Sequence, residues 1–277
     1  MSALALRFGL LVPGLAFIGV SFLLPLAWLV GISFSTQEEP GFTTETYALV
    51  LTDPFYWKLA GNTLMLAAMV AVLATLLSYP LGLFLARTQS RWRGVLVTLA
   101  IAPLLTSTVV RTYGWMIILS DQGLVNGTLR AAGLIWRPLA LANNTTGAVI
   151  ALVEILMPYA VLSILSGLGR LKPEHEEAAA LHGASRLRVF LRVILPLSLP
   201  GIMTAMLLVF VLAISSFVTP RLMGGGRVLV FGTEIFNEST VTLNWPVAAV
   251  LSMLLLVIFG LIMFVYSRLM RRMEEVA

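Results

Sequence analysis

The sequence predicts an all-α integral membrane protein with six transmembrane helices. Three observations carry that prediction. First, 59% of the 277 residues are hydrophobic and only 11% are charged, whereas soluble domains carry about 25% charged residues. A soluble core of this size could not hide so much apolar surface, so the solvent is expected to be lipid. Second, the apolar residues gather into six runs close to the ~20 that a helix needs to cross the hydrocarbon core. Third, the arginines and lysines are unevenly divided between the segments that join those runs.

The first run, Phe8 to Phe34, follows a single Arg7. It is much longer than the ~7–15-residue apolar region of a signal peptide, and no small-x-small cleavage site follows it. It therefore reads as a retained membrane helix. The remaining spans are expected over Leu59–Ala86, Gly94–Leu119, Gly147–Leu168, Gly201–Val218 and Pro246–Ser267, the fifth extending at most toward Met223. Together they make residues 1–277 one transmembrane domain. Pro80, Pro103, Pro158 and Pro220 lie in or beside spans, where each removes a helical hydrogen bond and tends to kink the backbone. Met223 to Arg227, "MGGGR", reads as a flexible outer turn. No internal repeat is evident, so the best pointer to an inverted-repeat secondary transporter is missing.

Orientation follows from counting. With the N-terminus inside, the inner segments hold twelve of the arginines and lysines and the outer segments six. The first outer loop is acidic, with Glu38, Glu39, Glu45 and Asp53. The positive-inside rule then places both termini in the cytoplasm. The net charge of +5 is explained by this asymmetry, and nucleic acid is not an expected partner. Absence of cysteine excludes disulfides, thiolate metal sites and cysteine nucleophiles.

The most patterned polar segment lies inside, before the fifth span: "PEHEEAAALHGASRLRVFLRVILPLSLPG", Pro173 to Gly201. Pro173 suits a first helical turn, and Glu174, Glu176 and Glu177 complement the positive end of the helix dipole. Ala178, Ala179 and Ala180 favour helix and let another backbone approach closely. Gly183 is expected to end this helix. A basic amphipathic stretch follows, carrying Arg186, Arg188 and Arg192, and Pro196 and Pro200 are expected to break it before the fifth span. An amphipathic helix lying on the membrane surface is the simpler reading. However, three acidic residues oppose contact with anionic lipid, and a rigid elbow suits force transmission to a cytoplasmic partner.

Glu177-Ala178-Ala179, three residues, Gly183, nine residues and Val193-Ile194-Leu195-Pro196 resemble the EAA motif of ABC importer permeases, with valine where isoleucine is usual. Val109 to Asn126, Phe217 to Gly226 and Asn244 to Leu255 resemble the permeases of spermidine/putrescine-type importers. The resemblance implies the type I importer (MetI-like) permease fold. It also implies that the cytoplasmic segment 173–200 couples to an ATPase through Glu176, Glu177, Ala178, Ala179, Gly183, Arg186, Leu195 and Pro196. The expected partners are a cytoplasmic ABC ATPase dimer, a second permease subunit (a paralogue, or a copy of this chain), a periplasmic substrate-binding protein and the bilayer of a bacterial inner membrane. The solute implied is a polyamine such as spermidine or putrescine, or another small solute handled by the same family.

The chain itself is expected to be non-catalytic and to carry no cofactor. Its only lysines are Lys58 and Lys172, and neither sits in a G-x-x-x-x-G-K-[S/T] loop. ATP and magnesium would therefore belong to the partner ATPase. "HEEAA", from His175 to Ala179, is a near miss to H-E-x-x-H. His175 and His182 lack an evident third ligand, so no metal site is expected. A secondary transporter or channel working without an ATPase, and a scaffold that only recruits partners, are the alternatives. Co-purification of an ATPase subunit, or substrate-dependent ATP hydrolysis, would discriminate.

Glu154 is the single acid within a span, and such a group defaults to a functional hypothesis with a partner. Counting ~1.5 Å per residue along straight helices places Arg111 and Glu154 in the same outer third of the membrane. Two readings stand side by side: an ion pair that ties helices three and four together, or a carboxylate that faces the substrate pathway. Tyr113, Trp115 and Trp245 lie near the outer boundary, where aromatic belts are routine. They are also candidates for cation–π contact with an amine in transit.

Overall fold

The computed structural model describes residues 3–37, 41–169, 179, 181 and 184–274, with side chains from residue 11 to residue 270. Its helices are α1 (Ala3–Ser33), α2 (Glu45–Thr52), α3 (Pro54–Arg87), α4 (Arg93–Ile101), α5 (Thr108–Leu119), α6 (Leu124–Ala131), α7 (Thr145–Leu168), α8 (Arg186–Ile214), α9 (Val218–Met223), α10 (Phe231–Thr240) and α11 (Trp245–Glu274). No strand occurs among the described residues. The long apolar helices α1, α3, α7, α8 and α11 are each long and apolar enough to cross a membrane, and the bent α4–α6 region makes a sixth if its two arms count as one span.

The chain divides into two compact units, Met1–Lys58 with Glu234–Gly260 and Leu59–Thr233 with Leu261–Ala277. In the first, α2 is held against the end of α1. Ser33 gives its proton to the Val30 carbonyl and accepts one from Tyr47, at 2.7 and 3.0 Å. Thr46 Oγ1 donates to the Ser35 carbonyl at 2.7 Å. Phe34 stacks on Phe42, with ring centroids 5.0 Å apart. Asp53 then starts α3 by accepting from the Phe55 N–H at 2.8 Å, with Pro54 in the first turn, where a missing N–H costs nothing.

The second unit has α7 at its core, packed chiefly on α8. The two helices cross at Gly167 and Gly201. A Cβ at Gly167 would stand 2.5 Å from the Gly201 Cα, so the backbones meet where any larger residue would force them apart. From α3, Gly82 packs on Ile164, and Ser78 Oγ donates to the Met157 carbonyl at 3.2 Å. Asn144 caps α7 by accepting from the Gly147 N–H at 3.0 Å. The preceding loop is pinned by fully buried Asn126, which donates to the Ser120 and Leu139 carbonyls and accepts from the Leu139 N–H.

The structure corrects three expectations. The third span is not one straight helix over 94–119. After α4 it tightens into a 3₁₀ turn at Ala102–Leu105, becomes extended at Thr106 and Ser107, and restarts as α5, with a bend of 96°. Pro103 and the Thr106-Ser107 pair favour that break. Pro196 and Pro200 do not break the chain before the fifth span, because α8 runs through both. A π-helical turn at Phe190–Ile194 lets the Leu195 N–H bond the Phe190 carbonyl, and Pro196 then falls in the first turn of the following α-helical stretch. The fifth span ends at Ile214 rather than continuing to 218 or Met223, because Ser215–Phe217 separate it from α9. In the glycine turn, Gly225 and Gly226 adopt φ of +55° and +76°, a region that favours glycine. The short helices α2, α6 and α10 had no separate signal among the apolar runs.

Candidate functional site

The charged centre of the second unit is built on two proline effects. Pro158 has no N–H, so within α7 the carbonyl of Glu154, four residues earlier, loses its helical partner. Arg111, near the start of α5, fills the gap. Its Nη2 donates to the Glu154 carbonyl at 2.9 Å and to Glu154 Oε1 at 2.7 Å. Its Nη1 donates to the carbonyl of Pro103, in the 3₁₀ turn before the bend, at 3.2 Å. One guanidinium thus joins the turn, the helix after the bend and the core helix. Its planar fork of donors suits three acceptors in a way an ammonium does not.

The second carboxylate oxygen is also occupied: Trp115 Nε1 donates to Glu154 Oε2 at 3.1 Å. Arg111 is 10% exposed and Glu154 36% exposed at the side chain, so the cation is enclosed while one edge of the anion stays open. A second tie lies beside it. Thr112 Oγ1 gives its proton to the Thr108 carbonyl at 2.8 Å, so Thr219 must donate in their 3.0 Å contact, and this fastens α9 to α5. Both threonines are fully buried.

Of the other residues singled out from the sequence, Tyr113 is half exposed on α5. Trp245, also about half exposed, opens α11 in the other unit. Arg111, Glu154 and Trp115 meet; the ruler that placed Arg111 by counting along a straight third helix does not apply, because that helix is broken. The sequence reading missed the carbonyls of Pro103 and Glu154 as partners of Arg111, although a proline four residues after an acid is a visible signal. In segment 173–200, Glu176, Glu177, Ala178 and Gly183 lie outside the described residues, as do His175 and His182. Ala179 is helical, and its carbonyl accepts from the Ala184 N–H at 3.2 Å. Arg186 is exposed at the start of α8, Leu195 is partly buried and Pro196 is exposed. No cluster of three or more metal-binding side chains occurs among the described residues.

Comparison with known proteins turns this geometry into a family. Residues 78–275 match the binding-protein-dependent transport system inner membrane component family. The chain belongs to that family. It is 33% identical over 256 residues to the spermidine/putrescine transport system permease protein PotB of Escherichia coli (strain K12), covering 91% of this chain and 93% of that protein. Its fold is similar to a bacterial ABC transporter involved in the import of the acidic polysaccharide alginate, with a TM-score of 0.81 at 18% identity over 96% of this chain and 95% of the other. The same fold recurs, with a TM-score of 0.75 at 17% identity over 96% and 94% of the two chains, in the alginate transporter in complex with an alginate pentasaccharide-bound periplasmic protein.

The chain is thus an inner-membrane permease subunit of an ABC importer with the type I, MetI-like fold. Such a subunit is non-catalytic, and ATP is hydrolysed by a separate ATPase. Its homologues work with an ATPase and a periplasmic binding protein.

Proposed function

We propose that this permease passes a polyamine of the spermidine/putrescine class into the cytoplasm. The observation that carries the proposal is the 33% identity to PotB, sustained over nine-tenths of both chains. A binding protein delivers the solute outside, and ATP binding closes the partner ATPases. Segment 173–200 carries that movement into the membrane helices, so ATP and magnesium act on the partner subunit and not on this chain. ATP shifts the conformational equilibrium because it binds the closed ATPase dimer better than the open one. The second permease subunit is a paralogue, and both termini of this chain face the cytoplasm, in line with the twelve-to-six distribution of arginine and lysine.

The Arg111–Glu154–Trp115 cluster serves first as a structural tie. Both carboxylate oxygens are held, one by a cation, so the site presents little net negative charge to a polycation. Selectivity accordingly rests with the binding protein, while the open edge of Glu154 and the exposed ring of Tyr113 offer only a weak contact in transit. The test is purification of the intact complex, identification of its subunits by mass spectrometry, and reconstitution with its binding protein. Spermidine or putrescine should stimulate ATP hydrolysis and enter the vesicles. A binding protein that retains another solute and ignores polyamines would overturn the substrate, and uptake without any ATPase would overturn the mechanism.

A further inference from the structure

We propose that Tyr79, on α3, is a positioning residue that carries displacement of the 173–200 segment, to which Phe190, Leu195 and Ser198 belong, into α3. This rests on the coupling role given to that segment above. In sequence the segment follows α7 and includes the first part of α8, and Gly167 and Gly201 bring these two helices backbone to backbone. Movement of the elbow therefore turns α7 and α8 together rather than sliding one along the other.

Ser78 and Gly82 tie α3 to α7, and Tyr79 ties it to α8. Ser198 Oγ gives its only proton to the Leu195 carbonyl at 2.9 Å, so in its 2.9 Å contact with Tyr79 the phenol must be the donor. Ser198 is buried and Tyr79 partly so, which limits the access of water to this bond. The Tyr79 ring also meets Phe190 edge to face, with centroids 6.2 Å apart. Phe190 and Leu195 are the two ends of the π-turn hydrogen bond, so Tyr79 touches one end directly and reaches the other through the Ser198 hydroxyl. A π turn is a local register change with few bonds to lose, which suits a place where a helix flexes. On its own helix Tyr79 precedes Pro80, which cannot donate to the Leu76 carbonyl, so α3 is also locally weakened there. Two softened turns, one on each helix, are thus joined by one phenol.

The experiment uses the complete transporter in proteoliposomes with its binding protein and labelled spermidine, and reads solute imported per ATP hydrolysed. Tyr79→Phe retains the ring contact and removes only the donated proton. The expected result is a ratio lowered about fivefold, the factor equivalent to about 1 kcal/mol for one hydrogen bond, with solute-stimulated ATP hydrolysis retained. Ser198→Ala should give the same loss from the other side, and the double variant no more than either alone. An unchanged ratio in Tyr79→Phe, or losses that add in the double variant, would overturn the assignment. Absence of spermidine-stimulated ATP hydrolysis in the unmodified complex would instead sink the polyamine-importer reading on which it rests, so the two failures are distinguishable.

Discussion

Helices α1 and α7 are equally apolar and are used in opposite ways. None of residues 11–32 of α1 is buried, whereas most of the α7 span is. Glycine alone does not make the difference. A Cβ at Gly14, Gly19 or Gly31 of α1 would meet nothing within 4 Å, while one at Gly147 or Gly167 of α7 would strike backbone. What sets α7 apart is polar chemistry placed among its small residues: an acid four positions before a proline, and main-chain oxygens at 154 and 157 that accept from α5 and α3. Hydropathy reports that a segment crosses lipid; partners for its polar groups report which helix forms the core.

The strongest test of that contrast is steric. Gly167→Ala should destabilise the purified protein by about 3 kcal/mol, because the added methyl meets the backbone of Gly201 rather than a side chain that can turn away. Gly19→Ala should change it by less than about 0.5 kcal/mol. Denaturant unfolding in detergent checks both, and equal effects would erase the distinction between the helices. Next, Arg111→Met leaves a carboxylate and a proline-freed carbonyl without their donor and should lose about 2 kcal/mol. Adding Glu154→Gln should recover part of that loss in a double-mutant cycle. No recovery would mean that Arg111 acts through the Pro103 carbonyl rather than through the acid. A smaller effect, about 1 kcal/mol, is expected for Thr219→Val, which removes one buried donor while Thr112 keeps its bond to Thr108. A neutral result would show that the tie between α5 and α9 is apolar.

The smallest expected effect concerns pH. Burial, and then the neighbouring Glu238, push the carboxyl of Glu234 on α10 above its ordinary value of 4.5, against a hydrogen bond from Asn237 that lowers it. The folded state therefore holds this proton more tightly than the unfolded chain. The associated stability is complete below 4.5 and is lost as pH rises through the elevated folded value. Glu234→Gln should flatten the pH dependence of thermal unfolding over that window, and an unchanged slope would assign the dependence to other groups.

The six-span pattern was legible because length and apolarity are local properties; the arginine–acid pairing was legible only as one of two readings, because two charges in lipid leave few other partners yet sequence does not say which way the carboxylate faces. The break at 106–107 was not. Pro103 alone is compatible with a kinked but continuous helix, and only the extended backbone of Thr106 and Ser107 turns the kink into a change of direction. The reverse misreading occurred at Pro196 and Pro200. Two prolines four apart suggest an end, yet a π turn upstream absorbs the first by shifting the hydrogen-bond register, a device that leaves no mark in residue type. Ser198 carries no sequence signal for its role, because its partner lies 119 positions away.

The 96° turn constrains how the bilayer can surround this chain. At the break the Thr106 N–H bonds the Pro103 carbonyl and the Ser107 carbonyl accepts from the Arg111 N–H, so the extended peptide group between Thr106 and Ser107 lies outside both helical ladders, and hydrocarbon offers it no substitute. Only protein or a wet cavity can face that corner. Leu105, nearly fully bare at the apex, is accordingly expected to face protein or water rather than lipid, and a cysteine placed there should react with a water-soluble probe.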